Sequence, residues 1–256
     1  MITKNQVKYY SSLLQKKNRF KEKKFLTEGL KNVEEGLNSS YECELIFVTN
    51  KFTEENEDYL KRIRAKTGNI ISLKQKELQK ISDSQTPQGI AAVFIKPSKL
   101  QELKNSEEEI IVYLDNVSDP GNLGTIIRNC DWFGVNKILL SDQCVEYTNP
   151  KVVRSSAGSL FHVDIYEDIG IVELKKLKEH GYRLITADVE GENIYDMKRD
   201  QKIIIAFSNE ANGPSDQLLK ISDRIITIPK AGNTESLNVA SASAVILSEF
   251  TKSSRV

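Results

Sequence analysis

Three cysteines, two histidines and one tryptophan are all that 256 residues hold of these scarce side chains. Cys43, Cys130 and Cys144 are an odd number without CxxC spacing. That argues against a disulfide framework or a zinc site and fits small core residues in a reduced compartment. His162 and His180 are far apart and have no third ligand pattern beside them, so neither reads as catalytic or metal-bound. No apolar run is long enough to span a bilayer. The N-terminus, MITKNQVKYYSSLLQKKNRFKEKK, is polar and basic and lacks the apolar segment of a signal peptide, so cytoplasmic residence is expected. Neither GxGxxG nor GxxxxGK[ST] occurs, which removes the common dinucleotide and nucleoside-triphosphate fingerprints. There is no internal repeat or low-complexity tract.

Net charge is absent only in the sum. Residues 1–100 carry 19 Lys and Arg against 12 Asp and Glu, and the remainder carries 17 against 24. A basic first part, with clusters at 4–24 and 61–80, points to a polyanionic partner. The alternative is a solvated helix face.

Residues 4–97 read as a small α/β unit. Helices are expected over 4–17, 25–37 (capped by Thr27), 55–67 and 76–84, and strands over 45–49, 69–73 and within 86–95. Residues 98–109 read as a charged linker. From 110 onward, short apolar strands (110–115, 137–140, 162–165, 183–188, 202–208 and 224–228) alternate with helices (122–133, 150–157, 168–179, 215–221 and 238–251). That pattern means a mostly parallel sheet with helices on both faces. Its glycine-bearing loops come late, after 202–208 and 224–228. Ligands of such sheets bind at the carboxyl ends of strands, so a cofactor pocket is expected near the C-terminus.

Three segments carry candidate chemistry. LDNVSDPGNLGTIIRNCDWFG (114–134) runs a strand into Asp-Pro-Gly-Asn and then a helix. Asn122 suits a helix cap. Arg128 lies among Ile126, Ile127, Cys130 and Phe133 and looks buried, which would require a partner. Trp132 reads as core. The second segment, 203–219, contains Ser208, Asn209, Glu210 and Gly213. The third, 225–247, contains Ile228, Pro229, Gly232, Glu235, Ser236, Leu237 and Asn238. Ser236 and Asn238 also suit capping of the last helix.

By order, spacing and placement these three segments resemble the motifs of the SpoU (TrmH) family of RNA ribose 2′-O-methyltransferases. The second departs from the usual Gly-x-Glu-Gly-x-Gly, with Ser208 and Ala211 at glycine positions. TEG at 27–29 and TPQGI at 86–90 resemble the L30e-like RNA-binding domain that precedes many such catalytic domains. The resemblance implies an L30e-like domain at 1–97, a catalytic domain at 110–256 with a trefoil knot, a homodimer through the C-terminal domain, and S-adenosylmethionine as cofactor. It implies catalytic roles for Asn122, Arg128, Glu210, Ser236 and Asn238. Cofactor contacts would come from Thr186, Ser208, Asn209, Gly213, Ile228, Pro229 and Leu237. Phosphate contacts are expected from Lys16, Lys17, Lys21, Lys23, Lys24 and Arg154. The family has its arginine proposed as base, but a guanidinium hardly deprotonates, and a fork holding phosphate and ribose is easier chemistry. The implied substrate is rRNA rather than tRNA, because of the N-terminal domain. A module that binds RNA without catalysis is the competing class.

Overall fold

A computed structural model describes residues 2–64, 66–67, 69–97, 109–197, 201–209 and 212–252. The chain forms two compact units, Met1–Ser98 with Tyr147–Phe161, and Lys99–Glu146 with His162–Val256.

The first unit is built on a four-stranded sheet of order β1-β4-β2-β3, with β1 Lys24–Glu28, β2 Cys43–Thr49, β3 Ile70–Leu73 and β4 Ile90–Ile95. β4 pairs antiparallel with both β1 and β2, and β2 pairs parallel with β3. Helices α1 (Lys4–Ser12), α2 (Lys16–Glu22), α3 (Leu30–Asn38), α4 (Asn50–Glu55), α5 (Glu57–Arg64) and α6 (Gln75–Ile81) complete its N-terminal part. α1 and α6 place Val7, Tyr10, Leu78 and Ile81 against Leu26, Phe47 and Val93. Residues 147–161 supply α8 (Pro150–Ser155) and Phe161, whose ring packs with Phe25, Tyr41 and Phe94.

Two sequence expectations fail in this unit. The helix expected over 4–17 is two helices, because the chain turns at Leu13–Gln15 and α2 starts afresh at Lys16. Thr27 is no cap. It lies buried inside β1, its residues drawn into pairing with β4, and α3 begins beyond Gly29 at φ 86. A side chain there would be strained, and its Cβ would meet Gln88 Oε1 at 2.9 Å.

In the second unit six strands form a wholly parallel sheet of order β10-β8-β9-β5-β6-β7. They are β5 Ile110–Asp115, β6 Lys137–Leu140, β7 Asp164–Tyr166, β8 Arg183–Asn193, β9 Ile203–Ser208 and β10 Arg224–Thr227. Every residue of β5 and β9 is buried, as a sheet covered on both faces requires. One face carries Ile111, Tyr113, Leu184, Ile204 and Ala206 under Leu174 and Leu177 of α9 (Ile171–Glu179) and Leu218 of α10 (Asp216–Ile221). α11 (Val239–Phe250) packs on β9 and on α7 (Pro120–Trp132). Asp223 staples the start of β10 to β8. Its carboxylate accepts the Leu184 amide at 2.8 Å and meets Lys178 at 3.1 Å and Arg183 at 3.5 Å. Partial burial pushes its pKa up, but the Leu184 amide and the two cations outweigh that and hold it below the ordinary carboxylate value.

Candidate active site

The middle of β8 and the carboxyl ends of β9 and β10 open into a cavity of about 360 Å³ within the second unit. Volumes of this order suit a small organic ligand. Its walls are Ala187–Val189 within β8, Phe207–Asn209 at the end of β9, Gly213 and Pro214, the loop from Thr227 to Leu237, and Val239, Ala242 and Ile246 of α11. The walls mix apolar side chains with loop backbone. Ser208 Oγ is buried and finds no hydrogen-bond partner among the described residues. An unpaired buried hydroxyl on a cavity wall costs about 1–3 kcal/mol unless a ligand atom meets it. Leu237, half exposed, forms part of the rim.

The first of the three segments, 114–134, approaches the same loop. Asp119 caps α7 by accepting the Asn122 amide at 2.8 Å, so Asn122 is the helix's third residue and not its cap. Its side chain is thereby released for another partner, and Asn238 donates Nδ2–H to Asn122 Oδ1 at 3.0 Å. Asn238 does cap α11, accepting the amides of Ala240 and Ser241. Deeper in, Asn129 donates to Ala240 O at 2.9 Å and Ser243 Oγ at 3.0 Å, fixing α7 against α11. The second loop is tied to the first in the same way. Asn209 Nδ2 donates to Asn116 O and Ser118 Oγ, and its amide bonds to Asp115 O. The buried Asp115 carboxylate accepts the Ser215 amide at 2.9 Å. Three segments far apart in sequence thus meet through asparagine amides and one aspartate.

The predicted residues fall into distinct groups. Ser208, Asn209, Gly213, Ile228, Pro229, Ser236 and Leu237 all line the cavity. Thr186 does not: it is fully buried, and its Oγ1 pairs with Ser222 Oγ at 2.6 Å. Its neighbours Ala187 and Asp188 reach the wall instead. Glu210 lies outside the described residues. Arg128 is exposed rather than buried, with Ile126, Ile127 and Cys130 turned inward on the opposite face of α7. It has no ion-pair partner among the described residues. Trp132, expected in the core, is 83% exposed on the last turn of the same helix. The sequence pointed to Asp188 beside the pocket, but Asn129, Asp115 and Lys230 were not anticipated. A polar residue among the apolar positions of α7 and an acid closing a buried strand were the available signals.

All three thiols are pushed up by burial, Cys43 to about 11, so they stay protonated at neutral pH. Among the described residues there is no cluster of ligands able to hold a metal ion.

In the first unit, Lys16, Lys17, Lys21 and Lys23 are exposed. Lys24 is half-buried and ion-paired with Glu44, which holds its pKa above the ordinary lysine value. Arg154 pairs with Asp83 at 2.8 Å.

Comparison with known proteins brings both units into view. A model of the SpoU rRNA methylase family matches residues 109–248, and one of the MRM3-like substrate binding domain matches residues 4–92. The chain is 32% identical over 246 residues to the 23S rRNA (guanosine(2553)-2′-O)-methyltransferase RlmP of Bacillus subtilis (strain 168), covering 95% of each. It is 30% identical over 170 residues to the 23S rRNA (uridine(2479)-2′-O)-methyltransferase of Streptomyces viridochromogenes, covering 64% of this chain and 59% of that one. Among solved structures, the AdoMet-bound rRNA methyltransferase from Sinorhizobium meliloti superposes with a TM-score of 0.87 at 26% identity, over 100% of this chain and 97% of the other.

Proposed function

The chain belongs to the SpoU rRNA methylase family, and from that premise we propose that the cavity between the middle of β8 and the ends of β9 and β10 is its S-adenosylmethionine site. The enzyme transfers a methyl group from S-adenosylmethionine to a ribose 2′-hydroxyl of rRNA, the activity for which its 23S relatives are named. The observation that carries the site assignment is one cavity lined by the second and third segments, to whose last loop the first segment is tied by the Asn122–Asn238 bond.

When bound, the cofactor supplies an electrophilic methyl group on a sulfonium. The residues of the chain bind, orient and shield. The unpaired Ser208 hydroxyl and the backbone around Ile228, Pro229 and Leu237 suit the adenosine portion, with Asn209 and Gly213 shaping the loop beneath it. Asn122, Ser236 and Asn238 suit orientation of the ribose. Arg128, exposed on α7, offers a planar fork to phosphate and ribose, a role that needs no deprotonation. Glu210 keeps the role implied by its motif position. Much of the rate then derives from alignment of the 2′-oxygen.

The same reading extends outward. Residues 1–97 act as the RNA-gripping domain and 110–256 as the catalytic domain, with Lys16, Lys17, Lys21, Lys23, Lys24 and Arg154 as candidate phosphate contacts. Of these, Lys24 and Arg154 must first release Glu44 and Asp83. A trefoil knot suits the edge position of β10 and the return of the chain to α7 as α11. A homodimer through the second unit would cover Trp132. Residence in the cytoplasm suits an rRNA substrate, and no helix among the described residues is long and apolar enough to cross a membrane.

Calorimetric titration with S-adenosylmethionine tests the site. Saturable binding is expected, weakened by substitutions on the cavity wall. No binding, with or without 23S rRNA, would favour a module that only holds RNA.

A further inference from the structure

α2 in the first unit is inside out. Arg19 is 3% exposed and donates Nη1–H to Leu13 O at 2.7 Å, while Phe20, the next residue, is 70% exposed. Leaving a phenyl ring in water forgoes about 1.5–3 kcal/mol of burial. Phenylalanine is also a weaker helix former than the lysines around it. Single exposed apolar residues are ordinary, so exposure alone decides nothing. The surroundings of this ring do.

Lys16 and Lys17 precede Phe20 by four and three positions, which puts all three on one helix face, and both lysines are exposed. Lys23 ends the helix in a left-handed conformation at φ 51. Its carbonyl accepts the Lys96 amide at 2.7 Å, and that bond brings a fourth cation to the ring. Lys96 Nζ lies 5.9 Å from the Phe20 centroid and 4.9 Å from that of Tyr147. The nearby carboxylate of Glu22 is engaged elsewhere, accepting from Tyr9 Oη at 2.9 Å and facing Lys21 at 3.7 Å. An exposed aromatic ring therefore has Lys96 beside it, Lys16 and Lys17 on its own helix face, and the exposed Lys23 at the helix end three residues on.

That chemistry matches a partner made of flat apolar units strung on anions. We propose that Phe20 is a stacking platform for an unpaired RNA base, with the four lysines taking the flanking phosphates. Single-strand binding sites combine these two elements, and base–aromatic stacking contributes about 1–3 kcal/mol per base. A-form duplex offers no splayed base to such a ring. The inference rests on the rRNA methyltransferase reading and deepens it: the first unit selects RNA with an unstacked nucleotide, not paired helix.

The test uses the full chain and fluorescence anisotropy with two probes. One is a short single-stranded oligouridylate of about 12 nucleotides, within the ~4–16 nucleotide footprints of single-strand grooves. The other is a blunt RNA duplex of equal length. Phe20→Ala should weaken single-strand binding about 5- to 150-fold, the equivalent of ~1–3 kcal/mol. It should leave duplex affinity, the salt slope, thermal stability and S-adenosylmethionine affinity unchanged. Phe20→Tyr should bind like the unaltered protein. Equal single-strand affinity for Phe20→Ala and the unaltered chain would overturn the platform and leave a protein partner as the ring's occupant. An equal loss on both probes would also overturn it. Failure of the unaltered chain to bind either probe overturns it as well, and methylation of whole 23S rRNA, run alongside, then decides whether the parent reading falls too.

Discussion

Asn238 performs two jobs that substitution can separate. It caps α11 through Oδ1, at 3.0 Å from the Ala240 amide, and it donates Nδ2–H to Asn122 across the site edge. Asn238→Ala loses both. Cap removal costs about 1 kcal/mol, which for a chain of this size lowers Tm by roughly 2–4 °C. Asn238→Ser keeps a cap of nearly equal quality but is too short to reach Asn122, so its stability should match that of the unaltered chain. If the Asn122–Asn238 bond holds the ribose edge in register, both variants lose alignment equally. A misplacement near 1 Å costs up to about 100-fold in rate, and a loss of ~10- to 100-fold corresponds to ~1.4–2.7 kcal/mol of barrier. The assay is single-turnover methyl transfer to rRNA on folded protein, read beside thermal melts. A serine variant with a normal melt and an unaltered rate would refute the bridge as a working element and reduce Asn238 to a cap.

Asp223→Asn should destabilise the fold at neutral pH by about 1.5–3 kcal/mol, the range for hydrogen bonds to a charged group. Because the folded-state pKa is depressed, this contribution exists above the ordinary carboxylate value near ~4 and is lost as pH falls through the lower folded value. Denaturant melts at neutral and acidic pH should show the gap between variant and parent closing in acid, and a constant gap would contradict the assignment. Leu237→Trp should abolish S-adenosylmethionine binding in calorimetry while leaving the melt intact, since Leu237 is a half-exposed rim residue. Unchanged affinity would move the pocket. Reversing Lys16, Lys17 and Lys21 to Glu should flatten the salt dependence of RNA affinity by about 0.7–0.9 per lost phosphate contact. An identical slope would return them to a solvated face.

What the chain's order of residues disclosed, and what it withheld, follows physical lines. The alternation of apolar strands with helices after residue 110 is dictated by burial on two faces, so β5, β6 and β9 stand where their apolar runs lie. The cavity residues from Ser208 to Leu237 were readable because loops after parallel strands have one place to converge. Arg128 was misread because neighbours in sequence point to different sides of a helix: Ile126, Ile127 and Cys130 face inward while it faces out. Trp132 and the Arg19–Phe20 inversion show hydrophobicity failing as a guide at single positions. Thr186 turned away because its hydroxyl had Ser222 to satisfy it. Thr27 became strand because β4, over sixty residues onward, supplied the pairing. The asparagine links from 122 to 238 and from 209 to 116 are tertiary facts, invisible to any local pattern.

The central claim is methyl transfer to ribose by this constellation, and labelled transfer tests it most directly. Purified protein is given 23S rRNA and methyl-labelled S-adenosylmethionine, and the product is hydrolysed in alkali. A 2′-O-methyl group blocks cleavage at its own nucleotide, so label should appear in alkali-resistant dinucleotides. Arg128→Ala should reduce that transfer by orders of magnitude, with an unaltered melt and cofactor affinity, and Arg128→Lys should rescue poorly because an ammonium lacks the planar fork. Label in mononucleotides, or single-turnover transfer by folded Arg128→Ala at the parental rate, would contradict the account.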